Sequence, residues 1–121
     1  MKFEDLEAWK EARSTVREIY VLTRHEPLAS DFGLTRQVQR SAVSAMSNIA
    51  EGFERSGSAE KLNFYNIARA SAGETRSLLY VVEDSYPEFE ETCRDLRNKS
   101  IGVGRKITGL INSYRKRTTN K

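Results

Sequence analysis

The 121 residues are 38% hydrophobic and 31% charged with a net charge of +3, which suits one soluble, helix-rich domain spanning residues 1–121. No run of about 18 apolar residues is present, so no helix is expected to span a membrane. The opening MKFEDLEAWKEAR is acidic and amphipathic, unlike a signal or transit peptide, and Cys93 stands alone, so no internal disulfide can form and a reducing cytoplasm is the expected compartment.

The first helix is predicted over Glu4 to His25. Leu6, Trp9, Ala12, Val16, Ile19 and Thr23 recur near a three-four spacing, while Glu7, Lys10, Glu11 and Arg17 stay outside that stripe. Pro27 stops it, and Glu26 to Gly33, with Pro, Ser, Asp and Gly, reads as a loop. The second helix is predicted over residues 34–55. Leu34, Val38, Ala42, Ala45, Ile49 and Phe53 draw one apolar stripe, widened by Val43, Met46 and Ala50. Gly57 is expected to take positive φ in the turn that follows, with Ser58 capping the next helix.

The third helix is predicted over residues 59–85, with Phe64, Ala68, Ser71, Thr75, Leu78 and Val82 in a seven-residue repeat. Ala68, Ala70, Ser71, Ala72 and Gly73 leave little bulk, so a neighbouring helix can approach closely there. The fourth, over residues 88–116, opens after Pro87. It carries the cleanest heptad: Phe89, Cys93, Leu96, Ser100, Val103, Ile107, Leu110 and Tyr114. Residues 115–121 read as a basic tail. Four such helices joined by short connections predict an all-α, antiparallel, up-down-up-down four-helix bundle.

Charge is unevenly spread. Residues 94–121 hold nine Lys or Arg against Asp95 alone, a local charge of +8, and the remainder carries −5. Arg94, Arg97, Lys99, Arg105, Lys106, Arg115, Lys116 and Arg117 are therefore candidates for contacting RNA or DNA phosphates, with Arg36 and Arg40 as a second patch. Charge alone equally fits a solvated helix face.

The usual signs of catalysis are missing. His25 is the only histidine and sits at a helix end, where a surface or capping role is expected. One His and one Cys cannot make a zinc set, and Cys93 falls on an apolar stripe. Gly102-Val-Gly104 lies inside a heptad and follows no strand, so it is no phosphate loop. No enzyme activity, metal or cofactor is expected.

The most distinctive stretch is RSAVSAMSNIAEGFER, Arg40 to Arg55, in which Arg40, Ser44, Ser47, Asn48, Glu51 and Arg55 form a polar row beside the apolar stripe. Three readings are open. Arg40, Asn48, Glu51 and Arg69 could line a pocket. Alternatively Asn48, Glu51, Arg55, Arg69 and Glu74 form a structural network in which Glu51 accepts from Arg69 or Arg55. Or the row lies at a subunit interface and sets register.

That stretch, with Leu34-Thr35-x-Gln37 before it, resembles the signature of the 23S rRNA-intervening sequence (S23 ribosomal) protein family. Phe3-x-x-Leu6-x-x-Trp9, Phe64-x-x-Ile67-Ala68-Arg69-x-Ser71 and Glu74 match further marks in the same order. Met46 stands where that family usually has Pro, and Ala70 where it usually has Gly. The resemblance implies a four-helix bundle assembling as a homopentamer without enzymatic activity. It also implies kinship with the accessory protein of diversity-generating retroelements, which binds nucleic acid and a reverse transcriptase. The expected function is thus a non-catalytic, oligomeric, RNA- or DNA-binding bundle, with a protein–protein scaffold or adaptor as the alternative.

Overall fold

A computed structural model describes residues 1–119. It contains four helices: α1 (Glu7–Leu22), α2 (Phe32–Glu54), α3 (Ser58–Ser85) and α4 (Glu90–Thr119), with no strand among the described residues. Among these residues no helix is long and apolar enough to cross a membrane. Each helix lies beside its neighbour in sequence, and α1 packs on α4 to close the ring. Directions alternate. Ser41 meets Thr75 while Ser44 meets Ser71, so α2 and α3 run antiparallel. Lys106 reaches Glu11 while Lys99 reaches Glu18, which sets α4 antiparallel to α1.

The predicted stripes become the core. One cluster joins Ala8 and Ala12 to Ala45 and Ile49, Tyr65, Ala68 and Ala72, and Val103, Ile107 and Ile111. A second joins Ile19 and Leu22 to Leu28, Val38 and Ala42, Leu79 and Val82, and Cys93 and Leu96. Between them every helix contributes a buried hydroxyl: Thr15, Ser41, Thr75 and Ser100. Each bonds back to a carbonyl of its own helix, so no donor is stranded. Small residues at this waist leave an internal gap of only about 10 Å³.

Several boundaries differ from the sequence expectation. α1 starts at Glu7, not Glu4, because Leu6 is extended (ψ 129°) and turns into the core, behind a 3-10 turn over Phe3–Asp5. That turn brings the Phe3 ring edge-on to Trp9, with centroids 5.1 Å apart. The helix ends at Leu22, where the Thr23 hydroxyl bonds back to the Ile19 carbonyl at 2.9 Å. α2 starts at Phe32 because the Asp31 carboxylate accepts from the Leu34 amide, capping the N-terminus.

Gly57 does not take positive φ. It stands at −76° as the residue preceding α3, and Ser58, rather than capping, places its hydroxyl 2.7 Å from that of Tyr114. Of the small residues expected to admit a neighbouring helix, Ala68, Ser71 and Ala72 are buried, with the Ser71 hydroxyl 2.7 Å from that of Ser44 on α2, but the others are not. Ala70 and Gly73 are exposed, whereas a Cβ on Gly52 would come within 2.7 Å of the Tyr65 ring. α4 continues to Thr119, so most of the expected tail is helix, and residues 120–121 of it lie outside the described residues.

Candidate nucleic-acid interface

The ten cations proposed from sequence fall into two sets once the register of the helices is fixed. Four are already tied to carboxylates. Arg94 pairs with Glu90 one turn earlier at 3.2 Å. Arg97 bridges from α4 to Glu83 on α3, and its guanidinium lies 4.1 Å from the centroid of the Tyr80 ring. Lys99 reaches Glu18 and the Ser14 hydroxyl on α1, and Lys106 reaches Glu11 at 2.6 Å. The Arg97 guanidinium is held more basic than usual, first by its hydrogen bond to Glu83. Arg97, Lys99 and Lys106 fasten α4 to its neighbours, and the charge of all four is largely compensated.

The rest face solvent. Arg36 and Arg40 stand one turn apart on α2 and line a groove with Tyr20 of α1. Arg105 opens onto the opposite groove, between α3 and α4. Arg115, Lys116 and Arg117 are exposed on the last turns of α4. Arg117 borders a cavity of about 430 Å³ with Lys61, Tyr65 and Tyr114. Lys61 donates to the Gly52 and Phe53 carbonyls at 2.8 and 2.9 Å, satisfying the C-terminal end of α2. Burial holds its ammonium below the usual lysine range.

The polar row of α2 resolves into a structural contact. Asn48 donates to the Ser44 carbonyl (2.8 Å), and the Ser44 and Ser71 hydroxyls share a hydrogen bond of 2.7 Å across the α2–α3 seam. Glu51 accepts from Arg55 at 3.0 Å, and Arg55 also lies over the Phe64 ring. Arg69 takes no part. It points to α4, donating to Thr108 (3.2 Å) and to Asn66 (2.8 Å). Glu74 is exposed, without a hydrogen-bond or ion-pair partner among the described residues. The pocket of Arg40, Asn48, Glu51 and Arg69 therefore does not form: Arg40 and Arg69 line different grooves.

Two features escaped the sequence reading. Arg76 joins Arg69 and Arg105 in the α3–α4 groove, and Asp31 accepts from the Tyr86 hydroxyl at 2.8 Å. A row of cations seven residues apart on α3 was visible in principle, because Arg69 and Arg76 share a helical face.

With this geometry in view, the family model described as 23S rRNA-intervening sequence protein matches residues 4–109. The chain belongs to this family. A solved structure described as a protein with unknown function from the S23 ribosomal protein family, from Bacteroides thetaiotaomicron VPI-5482, is similar at 22% identity. It superposes with a TM-score of 0.78, covering 86% of this chain and 97% of that one, and at such identity it supports the fold alone. No curated protein matches. Phe3, Leu6 and Trp9, the residues that carried the resemblance at the N-terminus, build the bend that opens α1. Asn48 and Ser71 both bond to Ser44, the first within α2 and the second across the α2–α3 seam.

Proposed function

We infer that the protein is a non-catalytic, oligomeric helical bundle that binds RNA or DNA through basic surface residues, in the cytoplasm. One observation carries the reading: Arg36, Arg40, Arg105, Lys116 and Arg117 are exposed and have no carboxylate partner among the described residues. Phosphate contacts need uncompensated charge more than a shaped pocket. The family's naming for an intervening sequence in 23S rRNA favours RNA as the partner. Self-association into a homopentamer is the assembly the resemblance implies, and it has support in Ile67 and Val81, exposed apolar residues of α3 that are two heptads apart and not claimed by the core.

The second reading is a scaffold or adaptor for a protein such as a reverse transcriptase or a ribosome-associated partner. Exposed Tyr20 beside Val43 favours it. Fluorescence anisotropy with a labelled RNA across a salt series separates the two. Nucleic-acid binding predicts an affinity that falls steeply with salt, with a log–log slope of roughly −2 to −4 for three to five phosphate contacts on a single strand. No binding at low salt, or a flat dependence, overturns it.

A further inference from the structure

The groove between α3 and α4 brings three arginines to one cavity of about 390 Å³ that no carboxylate lines. Arg69 and Arg76 stand on one wall, two helical turns or about 10 Å apart. Arg105 stands on the other. Because Thr108 meets Arg69 and α4 runs antiparallel to α3, Arg105 lies at a level between the two.

Two observations set this groove apart from an ordinary solvated face. Arg69 is held in place by neutral acceptors, Asn66 and Thr108, so its orientation is fixed while its charge stays uncompensated. By contrast, the cations that bridge α4 to its neighbours nearby, Arg97, Lys99 and Lys106, all end on carboxylates. The groove also contains Gly73 and Gly104, and a Cβ on either would meet nothing within 4 Å. Both lie inside helices, where glycine is less favourable than alanine, and packing within the bundle does not require them. What they provide is open backbone between guanidinium groups, which lets an anion come close.

We propose that Arg69, Arg76 and Arg105 form an oxyanion site on the α3–α4 face that takes a phosphate group, seated over Gly73 and Gly104. Guanidinium forks match phosphate oxygens in geometry as well as charge. The source of the phosphate is a nucleic-acid backbone, and that much rests on the function inferred above. The site itself does not.

The test uses the full chain and two probes at low ionic strength: inorganic pyrophosphate by calorimetry and labelled oligouridylate by anisotropy. Arg76→Gln with Arg105→Gln should weaken both by about tenfold or more, while Arg24→Gln, an exposed arginine outside the groove, changes neither. Gly73→Ala with Gly104→Ala should weaken both while leaving the melting temperature equal or higher, a combination that a damaged fold cannot give. The site is overturned if the double arginine variant, folded as judged by its melting temperature, binds both probes like the wild type, or if neither probe binds the wild type. Oligouridylate bound equally by every variant overturns the site and leaves the nucleic-acid reading standing. Pyrophosphate bound through these arginines without any binding of oligouridylate keeps the site and removes the nucleic-acid reading.

Discussion

Gly52 and Cys93 show how much individual positions in this bundle are decided by their neighbours. Gly52 is buried where α2 crosses the start of α3, and its missing side chain makes room for the Tyr65 ring. Gly52→Ala should therefore cost about 1–3 kcal/mol by overpacking in urea denaturation. Gly57 has a φ of −76° and nothing within 4 Å, so Gly57→Ala should be neutral or stabilising by about 0.4–1 kcal/mol. Cys93 is fully buried, and burial pushes its thiol up to about 11 from 9.0. Its thiolate fraction at pH 8 is then roughly a hundredfold below that of an ordinary thiol, and alkylation should slow accordingly in the native state. The sign for stability follows from linkage. The folded thiol holds its proton more tightly, so its contribution is complete below pH 9.0 and is lost as pH rises towards about 11. Cys93→Ala, though less stable overall, should show a shallower loss over that window.

At the scale of elements, α2 is fastened at both ends by side chains from outside it. Asp31 caps its N-terminus and also accepts from Tyr86 at the end of α3, and Lys61 from the start of α3 satisfies its last carbonyls. Asp31→Ala should cost about 1–2 kcal/mol, and Tyr86→Phe less, because the cap survives it. Lys61→Met should cost about 1–3 kcal/mol by stranding those carbonyls, read as a lower urea midpoint at constant m-value. The Asp31 cap is local, three residues from Leu34, but the ties made by Tyr86 and Lys61 were not legible in the sequence, although the helices they fasten were. The stripes of α1 to α4 are local, a matter of residues three and four apart, and Val38, Ala42, Ala45 and Ile49 are buried as their spacing predicts. The Tyr86 and Lys61 ties join residues 55, 9 and 8 positions apart, and their geometry exists only once the helices have taken their register.

The same limit governs the whole molecule's surface charge. Counting Lys and Arg singled out residues 94–121, but Lys99 finds Glu18 and Lys106 finds Glu11 across 81 and 95 positions, and no local pattern announces that. Conversely, of the two arginines offered as donors to Glu51, Arg55 takes that place and Arg69 opens the α3–α4 groove with Arg76, because its side of α3 faces α4. Of the three readings open for RSAVSAMSNIAEGFER, the structural network forms only in part: Ser44 joins Asn48 and Ser71 at the α2–α3 seam and Glu51 pairs with Arg55, while Arg69 and Glu74 stay outside it. The surface that remains uncompensated belongs to other residues. Exposed ion pairs contribute only about 0–1 kcal/mol each, so they can be removed without unfolding the bundle.

That makes possible a direct comparison between compensated and uncompensated cations. Two variants are matched against the wild type in the salt dependence of RNA affinity. In the first, Lys99, Glu18, Lys106 and Glu11 all become Gln, which removes two ion pairs at constant net charge. In the second, Arg36, Arg40 and Arg105 become Gln. Binding through uncompensated charge predicts that the first variant keeps the wild-type slope and the second loses roughly 2 units of it on a single strand. A slope that falls in the first variant and survives in the second would contradict the account.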